Sequence, residues 1–232
     1  MKYPPAGPVI FDLDGTLLDT APDLASALNE VLKEEGHQPL SLSAVRSMVG
    51  KGAVEMVKKG LAESGQVPSE AELRGDLRKR FLKHYQSCYL EATQPFPAVV
   101  DTLEMLKAGG HPMAVCTNKS YAMSAAILNG LDLDRYFLGV IGGDTLQTAK
   151  PDPAPIDAAI KLTQGPRSAT IMVGDSITDV TAAHAAGIPV IAVSFGYTEI
   201  EPHNLGADSV IDHFNQLIPA LAKITDNRNA KA

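Results

Sequence analysis

Cysteine is scarce in this chain, which has only Cys88 and Cys116 among its 232 residues. Two cysteines so far apart in the sequence indicate neither a disulfide framework nor a zinc site. Such low cysteine usage is typical of proteins that work in a reducing compartment. We therefore expect a cytoplasmic protein, and the chain is long enough to bury a sizeable core.

Long apolar runs and clusters of basic residues are also missing. No apolar stretch approaches the length of a membrane span, and residues 1–5 contain no apolar segment of a signal peptide. The formal net charge is -7 and the pI about 5.3, with no basic run to attract nucleic acid or an anionic membrane. We therefore expect neither as a partner, and an anionic substrate would need a local cationic site.

The first half of the chain has a helical pattern of apolar residues and no convincing strand. Between Ala21 and about Glu91, Thr20 is expected to cap one helix, which Gly36 can end. Ser69 is expected to begin a second helix, with a capping box at its start. That second helix is expected to be long and highly charged, and its apolar positions are Leu73, Leu77, Phe81 and Tyr85.

From about Pro95 onward, short apolar strands alternate with helices. Continuous apolar runs separated by helices are typical of a parallel sheet covered on both faces. The expected strands lie at residues 9–11, 112–116, 140–141, 170–173 and 189–193. The sequence therefore predicts an α/β fold, a Rossmann-like parallel-sheet core of residues 1–18 and 94–232, with an all-helical domain of residues 19–93 inserted after the first strand.

Two aspartates stand directly after the first expected strand. Asp12 and Asp14 are separated by one residue and followed by Gly15 and Thr16. Two carboxylates this close raise each other's pKa or require a cation between them. An Asp-Gly turn would explain Gly15 and Asp14 but gives no reason for Asp12. The run therefore predicts a divalent-metal site, a nucleophile, or both.

The ends of the other strands carry polar side chains as well. Parallel α/β sheets bind ligands at the carboxyl ends of their strands, so these side chains are expected to meet. Taken singly, each has an ordinary explanation as a helix cap, a surface lysine or a turn residue. In chain order they are Asp12 and Asp14, Thr117 and Asn118, Lys150, and Asp175 and Asp179.

This series of strand ends resembles the haloacid dehalogenase superfamily of phosphohydrolases. Residues 12–16 correspond to its first motif, Thr117 to its second, Lys150 to its third, and residues 174–179 to its fourth. All four occur in order, and the resemblance covers essentially the whole chain. It implies that residues 19–93 are the family's helical cap.

The resemblance also implies roles for these residues in hydrolysing a small phosphorylated metabolite with Mg²⁺. Asp12 would be the nucleophile that forms an aspartyl-phosphate, and Asp14 the general acid and base. Lys150 would pair with Asp12 and a phosphate oxygen. Thr117 and the backbone N–H of Asn118 would hold a phosphate oxygen. The metal ligands would be Asp12, the backbone carbonyl of Asp14, Asp175 and, directly or through water, Asp179.

The substrate is expected to be selected by the helical cap. Gly50 and Gly52 flank Lys51 in a loop, and Lys51 together with Arg46 could bind a substrate carboxylate. A plain turn with a solvated lysine explains the same residues. Several segments are similar to the bacterial phosphoglycolate phosphatases, which implies release of glycolate from 2-phosphoglycolate. They are residues 12–25, 48–52, 117–120, 174–187, 196–197 and 206–208.

Other functions remain open at the level of sequence. Pyrophosphatases share much of the similarity, and a β-phosphoglucomutase-like enzyme would also form an aspartyl-phosphate. A phosphonate hydrolase would need a Schiff-base lysine from the cap. A non-catalytic ligand-sensing protein could keep the fold, but the intact Asp12, Asp14, Lys150 and Asp175 argue against it. The chain is expected to be a monomer or a homodimer.

Overall fold

A computed structural model describes residues 6–198 and 200–230 of the chain. Residues 1–5, on which the expectation of no signal peptide rests, lie outside the described residues. Among the helices of the described ranges, none is both long enough and apolar enough to cross a membrane.

The centre of the fold is a six-stranded parallel sheet. Its strands are β1 (Val9–Phe11), β4 (Met113–Cys116), β5 (Val140–Ile141), β6 (Ile171–Gly174), β7 (Val190–Val193) and β8 (Ser209–Ile211). Their spatial order is β5-β4-β1-β6-β7-β8, so β1 lies between β4 and β6. The chain passes from β1 to β4 and β5 on one side, and then to β6, β7 and β8 on the other side. Parallel α/β sheets bind ligands at the point where the direction of strand addition reverses in this way.

The predicted α/β fold is confirmed, and all five expected strands occur within a residue or two of the expected bounds. The sixth, β8, was missed. Its three residues pair only with β7 at the edge of the sheet, and two of them are half-buried. A strand this short and incompletely buried has too weak an apolar pattern to be recognised from sequence.

Helices cover both faces of the sheet. One face packs against α6 (Val99–Ala108), α7 (Tyr121–Gly130) and α10 (Leu217–Asn229), and the other against α8 (Ala154–Thr163) and α9 (Ile177–Ala185). Alternate residues of β1 point to opposite faces, which places Phe11 in the first layer and Ile10 in the second. The site is therefore held by a strand that is buried on both sides.

Between β1 and β4, the chain forms a helical insertion at the end of the sheet. Its helices are α1 (Ala21–Glu34), α2 (Leu42–Arg46), α3 (Ala53–Glu63), α4 (Glu70–Glu72) and α5 (Arg78–Cys88). The segment Leu73–Leu77 between α4 and α5 is kinked at Gly75, whose backbone angles are not helical, so the long helix expected after Ser69 is broken there. A short antiparallel pair, β2 (Leu18–Asp19) with β3 (Gln94–Pro95), joins the two ends of the insertion. That residues 19–93 form a separate domain stays a prediction.

The two expected helix starts in the insertion differ in outcome. Ser69 forms the predicted capping box with Glu72. Thr20 precedes α1, but its side chain makes no capping hydrogen bond and instead donates to Asp14 Oδ1 at 2.7 Å. The hydroxyl is therefore used by the site rather than by the helix. The four expected apolar positions of the second helix, Leu73, Leu77, Phe81 and Tyr85, are all buried.

Candidate active site

The strand ends bring the predicted side chains together at the carboxyl end of β1. The backbone N–H of Asp12 donates to the carbonyl of Val173 on β6 at 2.9 Å. The backbone N–H of Thr117 donates to the carbonyl of Ile141 on β5 at 2.9 Å. These bonds continue the sheet one residue past the strands, so the sheet register fixes the positions of Asp12 and Thr117.

Lys150 lies at the centre of the buried charges. Its Nζ donates to Asp12 Oδ1 at 2.8 Å, to Asp179 Oδ1 at 2.6 Å and to the carbonyl of Cys116 at 2.6 Å. Three acceptors satisfy all three protons of the ammonium. Burial lowers the pKa of Lys150, but the two carboxylates outweigh this and raise it overall, so the lysine stays charged.

Three buried carboxylates form a group that could hold a metal ion. Oxygens of Asp12, Asp175 and Asp179 lie within 4.8 Å of one another. Burial raises the pKa of Asp12 to about 6, opposed by Lys150 and supported by Asp179. Burial, followed by the nearby Asp179 and Asp12, also holds the pKa of Asp175 well above its ordinary value. Three carboxylates beside one lysine leave an excess of negative charge that a divalent cation would balance.

The carboxylate of Asp175 is enclosed by backbone on two sides. Gly15, with φ +86°, and Gly196 approach it so closely that a Cβ on either would collide with the Asp175 side chain. The backbone N–H of Tyr197 donates to Asp175 Oδ2 at 2.7 Å. The carboxylate is therefore held by packing and a hydrogen bond before any metal binds.

Asp179 has a partner on each of its two oxygens. Oδ1 accepts from Lys150, and Oδ2 accepts from the Ser176 hydroxyl at 2.6 Å and from the Ser176 backbone at 3.1 Å. This capping box begins α9 and fixes Asp179 beneath the other carboxylates. The side chain therefore orients Lys150, while the predicted support of a metal by Asp179 stays a prediction.

Asp14 faces the cavity with both oxygens engaged. Lys119 Nζ donates to Oδ1 and to Oδ2, each at 2.9 Å, and Thr20 donates to Oδ1. The carboxylate of Asp14 is not among the oxygens of the acidic group. Lys119 was missed in the sequence, although it follows Thr117 and Asn118 directly, and this adjacency was the available signal.

Asn118 connects the sheet to the helical insertion. Its amide Nδ2 donates to the carbonyl of Gly50 at 3.2 Å and to that of Lys150 at 3.0 Å. Thr117 Oγ1 accepts from the backbone N–H of Lys119 at 3.2 Å, which orders the turn that leads into α7. Phosphate binding by Thr117 and by the Asn118 backbone stays a prediction.

A cavity of about 320 Å³ lies between the sheet and the insertion. Asp12, Asp14 and Lys150 line it from the sheet side, and Lys51 lines it from the insertion. Arg46, predicted to bind substrate, is not among its lining residues. The cavity-lining side chains that sequence reasoning did not assign to the site include Arg78, Tyr85, Lys119 and Asp144.

The Arg46 guanidinium is instead occupied at the base of the insertion. It donates to Asp19 Oδ2 at 2.7 Å and lies 5.3 Å from the centre of the Tyr197 ring. The Tyr197 hydroxyl donates to the other oxygen of Asp19 at 2.7 Å. Arg46 therefore fastens α2 to the strand pair from which the insertion emerges.

Comparison with known proteins identifies the family of the chain. The family model of haloacid dehalogenase-like hydrolases matches residues 9–193. The chain is 44% identical over 206 residues to a phosphoglycolate phosphatase of Caulobacter vibrioides, covering 89% of this chain and 86% of the relative. It is 40% identical to a phosphoglycolate phosphatase of Agrobacterium fabrum over the full length of both. A crystal structure of a "predicted phosphoglycolate phosphatase" from Haemophilus somnus superimposes with a TM-score of 0.86 at 30% identity, covering 95% of this chain and 99% of the other. The chain belongs to the haloacid dehalogenase-like hydrolase family.

Proposed function

We propose that this protein is a Mg²⁺-dependent phosphatase that hydrolyses 2-phosphoglycolate to glycolate and phosphate through an aspartyl-phosphate. The observation that carries the proposal is the buried Asp12, paired with Lys150 at 2.8 Å and adjacent to two further carboxylates, with Asp14 in the same cavity. The names of the relatives support the choice of substrate.

In the first step, Asp12 attacks phosphorus. A bond forms between its carboxylate oxygen and phosphorus, while the bond from phosphorus to the ester oxygen breaks. Asp14 gives its proton to the departing glycolate oxygen, which prevents the release of an alkoxide. Lys150 supplies positive charge beside the attacking oxygen and reduces its repulsion from the phosphate dianion.

In the second step, water attacks the phosphorus of the aspartyl-phosphate. Asp14, now ionised, takes a proton from that water, and the bond between phosphorus and Asp12 breaks to release phosphate. Asp14 thereby returns to its protonated form, and Asp12 to its carboxylate. Asp14 suits this exchange because it lines the same cavity as Asp12.

Asp12 and Asp175 would hold the magnesium ion with their carboxylates, the backbone carbonyl of Asp14 would be a third ligand, and Asp179 would support them. When bound, the ion supplies positive charge that offsets the phosphate and the excess of carboxylates. The donor set fits Mg²⁺, because every ligand is an oxygen and no cysteine or histidine belongs to the group.

A substrate panel tests the proposal. Phosphate release from 2-phosphoglycolate, pyrophosphate and several sugar phosphates would be measured with MgCl₂ and after chelation with EDTA. We expect the highest kcat/KM for 2-phosphoglycolate, loss of activity in EDTA and recovery with Mg²⁺. Preference for pyrophosphate or a sugar phosphate would overturn the substrate but leave the mechanism, and full activity after chelation would overturn the metal.

One further arm separates hydrolysis from phosphoryl transfer between sugar hydroxyls. The protein would be incubated with a sugar phosphate and its bisphosphate, and the products separated by chromatography. We expect no isomerised sugar phosphate. Isomerisation faster than phosphate release would assign the chain to the mutase-like alternative.

A further inference from the structure

We infer that Lys119 and Tyr85 form the subsite for the substrate's carboxylate, and that this pair makes the enzyme select esters whose leaving group carries a carboxylate one methylene away from the ester oxygen. The inference rests on the proposed function and names the residues that would determine its specificity. It replaces Lys51 and Arg46 as the main carboxylate ligands.

The position of Lys119 relative to Asp14 is the first argument. To protonate the leaving group, Asp14 must reach the ester oxygen of the substrate. Lys119 Nζ lies 2.9 Å from both carboxylate oxygens of Asp14, so it lies next to the place where the leaving group departs. In 2-phosphoglycolate the carboxylate is joined to the ester oxygen through a single methylene. A carboxylate held that near the ester oxygen falls within reach of the same ammonium.

The surroundings of Lys119 are the second argument. Its side chain is only 8% exposed, and Asp14 is its one salt-bridge partner among the described residues. A buried ammonium binds a carboxylate more strongly than an exposed one, because little water screens the pair.

Tyr85 is the third argument, because its buried hydroxyl has no acceptor for its proton. The residue is 2% exposed, and its hydroxyl, which lies beside the Lys119 ammonium, donates to no acceptor among the described residues. Its ring lies under Lys119, with Nζ 4.8 Å from the ring centre. Buried hydroxyl groups usually donate a hydrogen bond, so one that lines a cavity and has no acceptor leaves a donor for a bound ligand. A carboxylate on Lys119 would supply the acceptor.

The other cations of the cavity are less suited to this role. Lys51 and Arg78 both line it from the insertion, but both are exposed to solvent. Long exposed side chains gain little from pairing with an anion, since water screens the charge and the side chain loses freedom. They are expected to attract the substrate rather than to distinguish it.

The test compares two substrates that differ only in the carboxylate. The kcat/KM values for 2-phosphoglycolate and for ethyl phosphate would be measured with the wild-type protein, Lys119→Met and Tyr85→Phe, each with saturating MgCl₂. The ratio of the two values reports carboxylate recognition. Any effect of Lys119→Met on Asp14 or on the fold applies to both substrates and cancels in the ratio.

We expect Lys119→Met to lower this ratio by about 100-fold, the value of a buried charge-assisted hydrogen bond, and Tyr85→Phe by about 10-fold. The matched controls Lys51→Met and Arg78→Met, which remove cations from the same cavity, should change the ratio less than about 3-fold. Tyr85→Phe keeps the ring and removes only the hydroxyl, so it tests the subsite even where Lys119→Met folds poorly.

The possible failures are distinguishable. The subsite would be overturned, while the proposed function stands, if Lys119→Met and Tyr85→Phe both kept the wild-type ratio of the two kcat/KM values. The same conclusion would follow if only Lys51→Met lowered that ratio. A wild-type protein that hydrolyses the two substrates equally would overturn the proposed substrate and the subsite with it.

Discussion

Magnesium and pH are expected to act together on the stability of this protein, because Asp12 is buried beside other carboxylates. Without a metal, the pKa of Asp12 rises from 3.8 to about 6. Holding Asp12 ionised at neutral pH therefore costs about 3 kcal/mol relative to the unfolded chain. Bound Mg²⁺ would offset that cost.

The direction of the pH effect follows from the raised pKa. Between pH 3.8 and about 6 a larger fraction of the folded protein than of the unfolded chain carries a proton on Asp12. The metal-free protein is thus penalised fully above about pH 6, and the penalty is relieved as the pH falls through that value. Going from pH 7.5 to pH 5.0 should remove about half of the cost, or about 1.5 kcal/mol.

Thermal unfolding followed by circular dichroism measures this effect. The Tm would be recorded in EDTA and in MgCl₂ at pH 7.5 and at pH 5.0, and the increment due to Mg²⁺ compared. Other titrating groups contribute to both curves at each pH, so the increment isolates the site. We expect the increment to be smaller at pH 5.0 by about 3–6 °C for a chain of this length.

Two variants serve as controls for the increment. Asp12→Asn should reduce its pH dependence to the part that the buried Asp175 contributes, whereas Asp101→Asn, an exposed residue of α6, should leave it unchanged. No increment at pH 7.5, or one that is equal at both pH values, would refute the reasoning.

Three further substitutions test separate parts of the site. Lys150→Met removes the cation that pairs with Asp12 and Asp179 and leaves both carboxylates uncompensated. It should lower the free energy of unfolding in EDTA, measured by urea titration, by about 3–5 kcal/mol. A smaller loss is expected in MgCl₂. Gly196→Ala pushes a Cβ into Asp175 and should raise the Mg²⁺ concentration for half-maximal activity, while Gly75→Ala, which has open space, should not. Arg46→Met should leave KM for the substrate within about 3-fold of wild type, since the half-buried Arg46 is already paired with Asp19 outside the cavity and water screens its remaining field. A large rise in KM would restore it as a substrate ligand.

The sheet and the buried charged residues at its edge were predictable from the sequence because they follow from one rule. Parallel strands present their carboxyl ends at the same edge, so short apolar runs that end in polar residues locate both the strands and the site. The buried group of Asp12, Asp175 and Asp179, with Lys150 beside it, is the result of that rule. Their roles in catalysis stay predictions for the experiments above.

The side chains that come from the insertion were not predictable in the same way. Tyr85 has the spacing of a core residue and is buried as one, but its sequence position does not tell that Lys119 lies over its ring. Arg46 stands close to the Gly50–Gly52 loop in sequence, yet the helix directs it to Asp19. Contacts between an insertion and a sheet depend on how the two parts pack, and local periodicity carries no information about this.

The measurement closest to the central claim is a rapid acid quench of the protein with radiolabelled 2-phosphoglycolate and Mg²⁺. Asp12 is predicted to carry the phosphoryl group during turnover. We expect transient label on the peptide that contains Asp12, sensitive to hydroxylamine as an acyl phosphate is, with neither label nor turnover in Asp12→Asn. Label on a different peptide, or wild-type hydrolysis by Asp12→Asn, would contradict the account.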